Sequence, residues 1–195
     1  TLANVETLVG GALADTVTLG SALTGSISID LGAGSDSLQL GNFTNTGSLS
    51  NIETIIGGSG ADTITLTTLS SKGSVDLGDG ADKLTLGDFA NVVTIANVES
   101  LIGGSANDTI TLTSALNASD SINLGNGNDK LTLADFVNVG SVSNVETLVG
   151  GTDSDAITIA TQAVNASFDL AAGTDSLTLG NFANTATVSN VESLL

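Results

Sequence analysis

An aspartate closes a glycine-rich turn eight times along this chain, at two alternating intervals. The intervals are 20 or 21 residues and 26 residues, and the aspartates are Asp15, Asp36, Asp62, Asp82, Asp108, Asp129, Asp155 and Asp175. A second signal, Asn-(Val/Ile)-Glu, recurs every 46 or 47 residues, at Asn4, Asn51, Asn97, Asn144 and Asn190. A fixed period of this length indicates a solenoid or an array of stacked units. The sequence therefore predicts a single solenoid of four repeats, 4–50, 51–96, 97–143 and 144–189, followed by the start of a fifth.

Short stretches of alternating apolar and polar residues fill each repeat. In the second repeat they cover 63–67, 74–77, 83–86 and 93–98, and such alternation is typical of half-buried strands. Nothing in the chain has a convincing helical stripe. Four strands per repeat predict an all-β parallel β-solenoid with about two coils per repeat. One wide coil of about 47 residues is the alternative.

The connections between these strands predict where the aspartates lie. With two strands in each coil, every glycine–aspartate turn falls on the same edge of the solenoid. The eight aspartates should then form one row, with neighbouring coils about 4.8 Å apart. Without cations, such a row would repel by roughly 1–3 kcal/mol per neighbouring pair.

Composition limits the possible partners of the chain. Its 195 residues carry a net charge of −18, with 21 acidic residues against Lys72, Lys83 and Lys130. This balance excludes nucleic acid and anionic membrane surfaces, because both require Lys and Arg for binding. An apolar content of 41%, almost all Val, Ile, Leu and Ala, argues against disorder. No apolar run is long enough to insert into a membrane.

Catalysis is the least supported class of function. The chain has no His, Cys, Tyr or Arg to act as base, nucleophile or charge clamp. Its carboxylates are equivalent copies, whereas an active site breaks the symmetry of a repeat, so we expect no enzyme. The chain begins at Thr1 and contains no Met, which predicts a fragment of a longer protein, with further repeats or neighbouring copies stacked end to end.

The turn at 57–65 fits the nonapeptide G-G-x-G-x-D-x-U-x, and the turns at 77–85 and 124–132 lack only its first glycine. The turn at 31–36, Leu-Gly-Ala-Gly-Ser-Asp, also lacks only that first glycine. Here the chain resembles the calcium-binding RTX repeats of secreted bacterial proteins. The phrase "NVETLVGG" is similar to those of alphaproteobacterial surface and S-layer-like repeat proteins.

The resemblance implies a right-handed β-roll, an extracellular or cell-surface location, and type I-like export from a Gram-negative cell. It also implies Ca²⁺ bound at the stacked turns, and it carries the metal-ligand role to Asp36, Gly58, Gly60, Asp62, Gly78, Gly80, Asp82, Asp108, Gly125, Gly127, Asp129 and Asp155. Several turns depart from the motif, with Leu13, Ala106, Asp153 and Ala171 where glycine is expected. Because these residues disfavour positive φ, we expect them to alter the turn carbonyls.

The physical case for calcium does not depend on the family. Ca²⁺ takes six to eight oxygens from carboxylates, backbone carbonyls and water, and a glycine-rich turn can offer its carbonyls beside an aspartate. The alternative is that each Asp only bonds backbone N–H groups of its turn, while the glycines only make tight corners.

Four further series of residues repeat with the same period. We expect Phe43, Phe89, Phe136 and Phe182 to fill the core at a corner. The repeated glutamates are Glu6, Glu53, Glu99, Glu146 and Glu192. We expect them to bond nearby backbone groups or to remain solvated, and cation binding is the alternative. The Asn-(Val/Ile)-Glu asparagines should form an inward or corner ladder that satisfies bends. Outward threonines should form one flat file, interrupted by Gln39, of Thr18, Thr65, Thr85, Thr111, Thr132, Thr158 and Thr178.

These observations predict an extracellular structural module, such as a surface layer, filament or adhesin stalk, whose folding Ca²⁺ stabilises. One alternative is an ice- or polysaccharide-binding solenoid that uses the flat threonine file. The other is a structural solenoid that holds no metal.

Overall fold

The computed structural model describes residues 6–195, which form 21 strands in two parallel sheets. Sheet 1 contains the odd-numbered strands β1 (Thr7–Val9), β3 (Ser28–Asp30), β5 (Thr46–Ser50), β7 (Thr63–Leu66), β9 (Lys83–Thr85), β11 (Ser100–Ile102), β13 (Ser121–Asn123), β15 (Val139–Ser143), β17 (Ala156–Ile159), β19 (Ser176–Leu179) and β21 (Ser193–Leu194). Sheet 2 contains the even-numbered strands β2 (Thr16–Thr18), β4 (Ser37–Gln39), β6 (Thr54–Gly58), β8 (Ser71–Gly78), β10 (Val92–Ala96), β12 (Thr109–Leu112), β14 (Lys130–Thr132), β16 (Thr147–Val149), β18 (Val164–Asp169) and β20 (Thr185–Ser189).

Each coil contributes one strand to each sheet, and each strand pairs with the strand one coil before and one coil after it. The predicted all-β parallel β-solenoid is therefore confirmed. No helix long and apolar enough to cross a membrane occurs between residues 6 and 195.

The core is a thin layer of aliphatic side chains between the two sheets. In β7, Ile64 is fully buried while Thr63 and Thr65 face outward, as the alternating pattern predicts. Ile64 aligns with Leu84 in the next strand of sheet 1, and Leu84 aligns with Leu101. Such files suit small branched residues, because neighbouring strands are less than 5 Å apart.

Each repeat holds five strands rather than the predicted four. In the repeat 51–96 these are β6 to β10, which makes two and a half coils per repeat where about two were predicted. The additional strand, Thr54–Gly58, lies within the phrase that leads into the glycine-rich turn. It is separated from the preceding strand by Asn51, whose φ of 52° places it in the left-handed region. The alternative of one wide coil is wrong.

The half coil makes successive repeats face opposite ways. The first strand of a repeat lies in sheet 1 for β1, in sheet 2 for β6 and again in sheet 1 for β11. We name the side where the chain passes from sheet 1 to sheet 2 edge A, and the side where it returns edge B. The predicted single row of aspartates is wrong. Asp15, Asp36, Asp108 and Asp129 lie on edge A, and Asp62, Asp82, Asp155 and Asp175 lie on edge B.

The prediction of one flat threonine file is wrong for the same reason. Its members divide between the two faces of the solenoid, with Thr18, Thr111 and Thr132 in sheet 2 and Thr65, Thr85, Thr158 and Thr178 in sheet 1. Gln39 is also in sheet 2.

The four repeated phenylalanines do not fill the core. Phe43, Phe89, Phe136 and Phe182 are 38%, 42%, 49% and 53% exposed. An asparagine two residues later, such as Asn45, takes the inward position and is fully buried at three of the four places. The fully buried aromatic side chain is instead Phe168 in β18.

Candidate functional site: the carboxylate ladders

Seven of the eight turn aspartates are buried inside the edges of the solenoid, although carboxylates are among the groups least often buried. Asp36, Asp62, Asp82, Asp108, Asp129, Asp155 and Asp175 are at most 2% exposed, and Asp15 is half-buried. Each follows its glycine-rich turn and immediately precedes a strand, so its side chain points between the sheets.

These side chains join successive coils through backbone hydrogen bonds. On edge B, the N–H of Asn45 donates to Oδ1 of Asp62 at 2.9 Å, and the N–H of Asp62 donates to Oδ1 of Asp82 at 2.6 Å. The N–H of Asp82 in turn donates to Oε2 of Glu99 at 2.7 Å. Each coil therefore supplies an acceptor to the backbone of the coil before it. Such charge-assisted bonds are stronger than neutral ones.

We call this series an acid ladder, and residues 6–195 contain four of them on alternating edges. The others run through Asp15, Asp36 and Glu53 on edge A, Asn91, Asp108, Asp129 and Glu146 on edge A, and Asn138, Asp155, Asp175 and Glu192 on edge B. The prediction that the glutamates bond nearby backbone is confirmed at Glu53, Glu99, Glu146 and Glu192.

An asparagine begins each complete ladder, at Asn45, Asn91 and Asn138, and none of the predictions from the sequence concerned it. The amide of Asn138 accepts the N–H of Leu116 through Oδ1 at 3.0 Å and donates through Nδ2 to the carbonyls of Ala134 and Phe136 and to Asp155. Its signal was the Asn that follows each Phe by two residues in Asn-Phe-Thr-Asn, Asp-Phe-Ala-Asn, Asp-Phe-Val-Asn and Asn-Phe-Ala-Asn.

The asparagines of the Asn-(Val/Ile)-Glu phrase lie at bends and form the predicted corner ladder. Asn51, Asn97, Asn144 and Asn190 have φ between 51° and 54°, a conformation that Asn tolerates better than most residues. Their Nδ2 groups donate, each at 2.7 Å, to side chains of the preceding coil at Asp30, Asp76, Asn123 and Asp169. Asn4 lies outside the described residues.

Five aspartates keep a buried oxygen without a hydrogen-bond donor. Among the described residues, these are the Oδ2 atoms of Asp36, Asp62, Asp82, Asp129 and Asp175. The Oδ2 atoms of Asp15, Asp108 and Asp155 instead accept the N–H groups of Gly11, Gly104 and Gly151, at 3.0, 3.3 and 3.4 Å. A buried charged oxygen without a partner is costly, so the first group would gain most from a proton or a cation.

The protonation of the ladders reflects this cost. Burial, together with the neighbouring charges of Asp62, Glu99 and Asp79, raises the pKa of Asp82 to about 6, although the hydrogen bond from the Asp62 N–H lowers it. Burial, together with the charges of Glu146 and Asp108, likewise raises the pKa of Asp129 to about 6, although the hydrogen bond from the Asp108 N–H lowers it. The pKa of Asp62 is raised for the same reason, although its bonds from Asn45 oppose the shift.

The glycines of the turns allow neighbouring coils to approach closely. A Cβ on Gly58 would collide with the carbonyl oxygen of Gly41 in the preceding coil, and one on Gly60 would collide with that of Phe43. The carbonyl of Gly58 accepts the N–H of Asp79 at 2.8 Å, so it is already used in stacking. Gly57 meets Leu77 of the following coil in the same way. Tight packing between coils thus accounts for this Gly-Gly-x-Gly sequence.

Among the described glycine–aspartate turns, positive φ occurs in the four that begin with a leucine, at their second and fourth positions. Gly32, Gly78 and Gly125 have φ of 87°, 85° and 90°. The equivalent Ala171 has φ of 66°, so here the expected departure does strain the turn. Leu13, Ala106 and Asp153 adopt no positive φ, so the conformational penalty expected at these three positions is absent.

The arrangement limits how a metal could bind. Between residues 6 and 195, no three acidic side chains are grouped so that they could hold one ion. A calcium ion would therefore need one or two carboxylates, completed by backbone carbonyls and water. Asp36, Asp62, Asp82 and Asp129 each offer an oxygen that is free to bind, whereas Oδ2 of Asp108 and Asp155 already accepts a backbone N–H.

No protein-family model matches the chain, and neither a curated protein nor a solved structure matches it. The stacked parallel coils are compatible with a β-roll, so the RTX resemblance stands on the turn motifs and this architecture.

Proposed function

We propose that the chain is an extracellular structural module, a stiff rod within a surface layer, filament or adhesin stalk. The observation that carries this proposal is the internal use of its polar groups. The repeated Asp, Glu and Asn side chains bond the backbone of adjacent coils at both edges. Within each of the two sheets, every strand pairs with its neighbours along the described chain. Sheet 1, with its 11 strands, gives a rod about 50 Å long.

An exterior role is supported by composition and by the RTX resemblance. The acidic surface and the absence of cysteine suit a protein that folds outside the cell without disulfides. A rod of equivalent repeats also gains length by adding units, because each coil contacts only its neighbours.

Calcium is the proposed stabiliser of this rod. Its support is the set of buried Oδ2 atoms on Asp36, Asp62, Asp82, Asp129 and Asp175, together with the raised pKa values of Asp82 and Asp129. A bound Ca²⁺ would supply positive charge where the fold buries negative charge. Because an ion that binds only the folded chain adds to its stability, folding would follow the high calcium level outside the cell.

A circular-dichroism melt in calcium and in excess chelator tests this proposal. The melting temperature should be higher in calcium. The variant Asp62→Asn/Asp82→Asn should lose part of that difference, whereas Asp88→Asn, which changes an exposed carboxylate outside the ladders, should keep it. Coinciding melts for the unmodified chain would refute the calcium role and leave the architectural proposal standing.

The alternative is a structural solenoid stabilised by protons rather than metal. It is favoured by the ladder bonds, which close between coils without any ion. In this case the melts coincide at neutral pH with and without calcium, and the melting temperature rises when the pH is lowered toward 5.

A further inference from the structure

Four phenylalanines recur at one place in the repeat and lie on the surface. Phe43, Phe89, Phe136 and Phe182 are 38–53% exposed, and at three of them the ring lies close to the glycine two residues before it. One side of such a ring covers backbone while the remainder faces solvent. A single exposed aromatic needs no explanation, but the same half-exposed ring in every repeat identifies a surface feature that repeats with the fold.

A shallow cleft of about 410 Å³ opens beside Phe136 at edge B. Its lining includes the hydroxyls of Thr111 and Thr132, which are paired neighbours in sheet 2, and the exposed side chain of Asp135. The cleft therefore combines an aromatic surface, a carboxylate and two hydroxyl groups. Asp135 belongs to none of the acid ladders.

We propose that this cleft binds a segment of a neutral polysaccharide. A pyranose ring has an apolar C–H face that can lie on the Phe136 ring, and its hydroxyls can donate to the Asp135 carboxylate and exchange bonds with Thr111 and Thr132. A mostly apolar surface with a few placed polar groups is the usual composition of a small-molecule site. The net charge of −18 repels anionic glycans, so the ligand is neutral.

The second repeat carries the same set of groups on the opposite edge. Phe89 lies there beside Asp88, and Thr65 pairs with Thr85 in sheet 1. In the fourth repeat Asn181 replaces the aspartate, and in the first repeat Asn42 replaces the aspartate and Gln39 replaces one of the threonines. The structure thus assigns two complete sites, on opposite sides of the rod, and two sites without the carboxylate. The proposal does not depend on calcium or on the location of the rod.

Native electrophoresis through gels that contain a neutral polysaccharide tests this proposal. The probes are hydroxyethyl cellulose and dextran, with anionic alginate as the charge control. The unmodified chain should be retarded in at least one neutral gel and not in alginate. The variant Phe89→Ala/Phe136→Ala should lose most of the retardation, and Asp88→Asn/Asp135→Asn should weaken it severalfold. Phe43→Ala/Phe182→Ala, with the same change in composition, should keep most of it.

Three results would overturn the proposal: no retardation in either neutral gel, retardation only in alginate, or equal retardation of the two phenylalanine variants. Circular-dichroism melts of each variant separate binding from folding. If Phe89→Ala/Phe136→Ala melts earlier but is retarded like the unmodified chain, the rings only cover the turns and the polysaccharide site is refuted.

Discussion

Replacing Asn138 by alanine should break the acid ladder that runs from Asn138 through Asp155 and Asp175 to Glu192 at its first residue. The side chain of Asn138 is fully buried and accepts the N–H of Leu116 at 3.0 Å. It also donates to the carbonyls of Ala134 and Phe136 at 3.0 and 2.8 Å and to Oδ1 of Asp155 at 2.9 Å. Alanine can make none of these bonds.

The cost follows from the partners that remain. Two backbone groups, the N–H of Leu116 and the carbonyl of Phe136, lose their partner inside the fold, and each unsatisfied group costs about 1–3 kcal/mol. The carbonyl of Ala134 keeps the N–H of Phe136 as a donor at 2.8 Å. Partial relaxation of the loop lowers the sum, so we expect a loss of about 2–4 kcal/mol in the free energy of unfolding. Asp155 retains the N–H of residue 138 as a donor, so it adds little.

Asn184→Ala is the matched control, because it removes the same side chain from the equivalent place in the last repeat. Asn184 is only half-buried, and its side chain bonds just the N–H of Ala163 and the carbonyl of Gly180. Water can replace part of that loss, so its cost should be about 1–2 kcal/mol. Urea unfolding gives both values, and amide hydrogen exchange at Leu116 should accelerate at least tenfold in Asn138→Ala. Equal losses in the two variants would refute the reasoning that the ladder bonds hold the coils together.

Three other predictions concern the turns, the ladders and the core. Ala171→Gly should raise the free energy of unfolding by up to about 1 kcal/mol, because Ala171 has a φ of 66° that glycine adopts freely; an unchanged urea midpoint would contradict this. Between pH 3.8 and about 6 the folded chain binds more protons at Asp82 and Asp129 than the unfolded chain does, so stability should rise as the pH falls from 7 toward 4. Asp82→Asn should reduce this pH dependence and raise the free energy of unfolding by about 1 kcal/mol at pH 7.5. Thermal melts across that pH range measure both effects, and a melting temperature that falls as the pH is lowered from 7 toward 4 would contradict the prediction. Phe168→Ala should lower the free energy of unfolding by about 3–5 kcal/mol, because the ring is fully buried against Leu148 in the neighbouring strand. Leu13→Ala, at an exposed turn, should change the free energy of unfolding in urea by less than about 0.5 kcal/mol.

The sequence predicted the features of the fold that depend on local patterns. Alternation at Thr63-Ile64-Thr65-Leu66 predicted a strand with one buried face, and β7 has that face. The repeated Asn51 predicted a bend, since Asn tolerates positive φ, and its φ is 52°. Both predictions need only a few neighbouring residues, and the stacking of parallel coils followed from the period alone.

The arrangement of the aspartates could not be predicted in the same way, because it depends on counting every strand. β6 (Thr54–Gly58) ends in two glycines, which weaken a strand and resemble the start of a turn. Missing this one strand per repeat moved half of the aspartates to the wrong edge. The depth of Phe43 was also misjudged, since an apolar residue in a loop is no guide to burial, and the inward position went to Asn45, whose amide satisfies the loop carbonyls.

Because each repeat has five strands, the number of repeats determines which way the following part of the rod faces. Because each repeat ends half a coil from where it began, removing one repeat would turn everything that follows to the opposite side of the rod. Removing two would restore the original direction and shorten sheet 1 by five strands, about 24 Å. Recombination between near-identical repeats therefore changes both reach and facing, and only steps of an even number preserve the direction in which a downstream segment points.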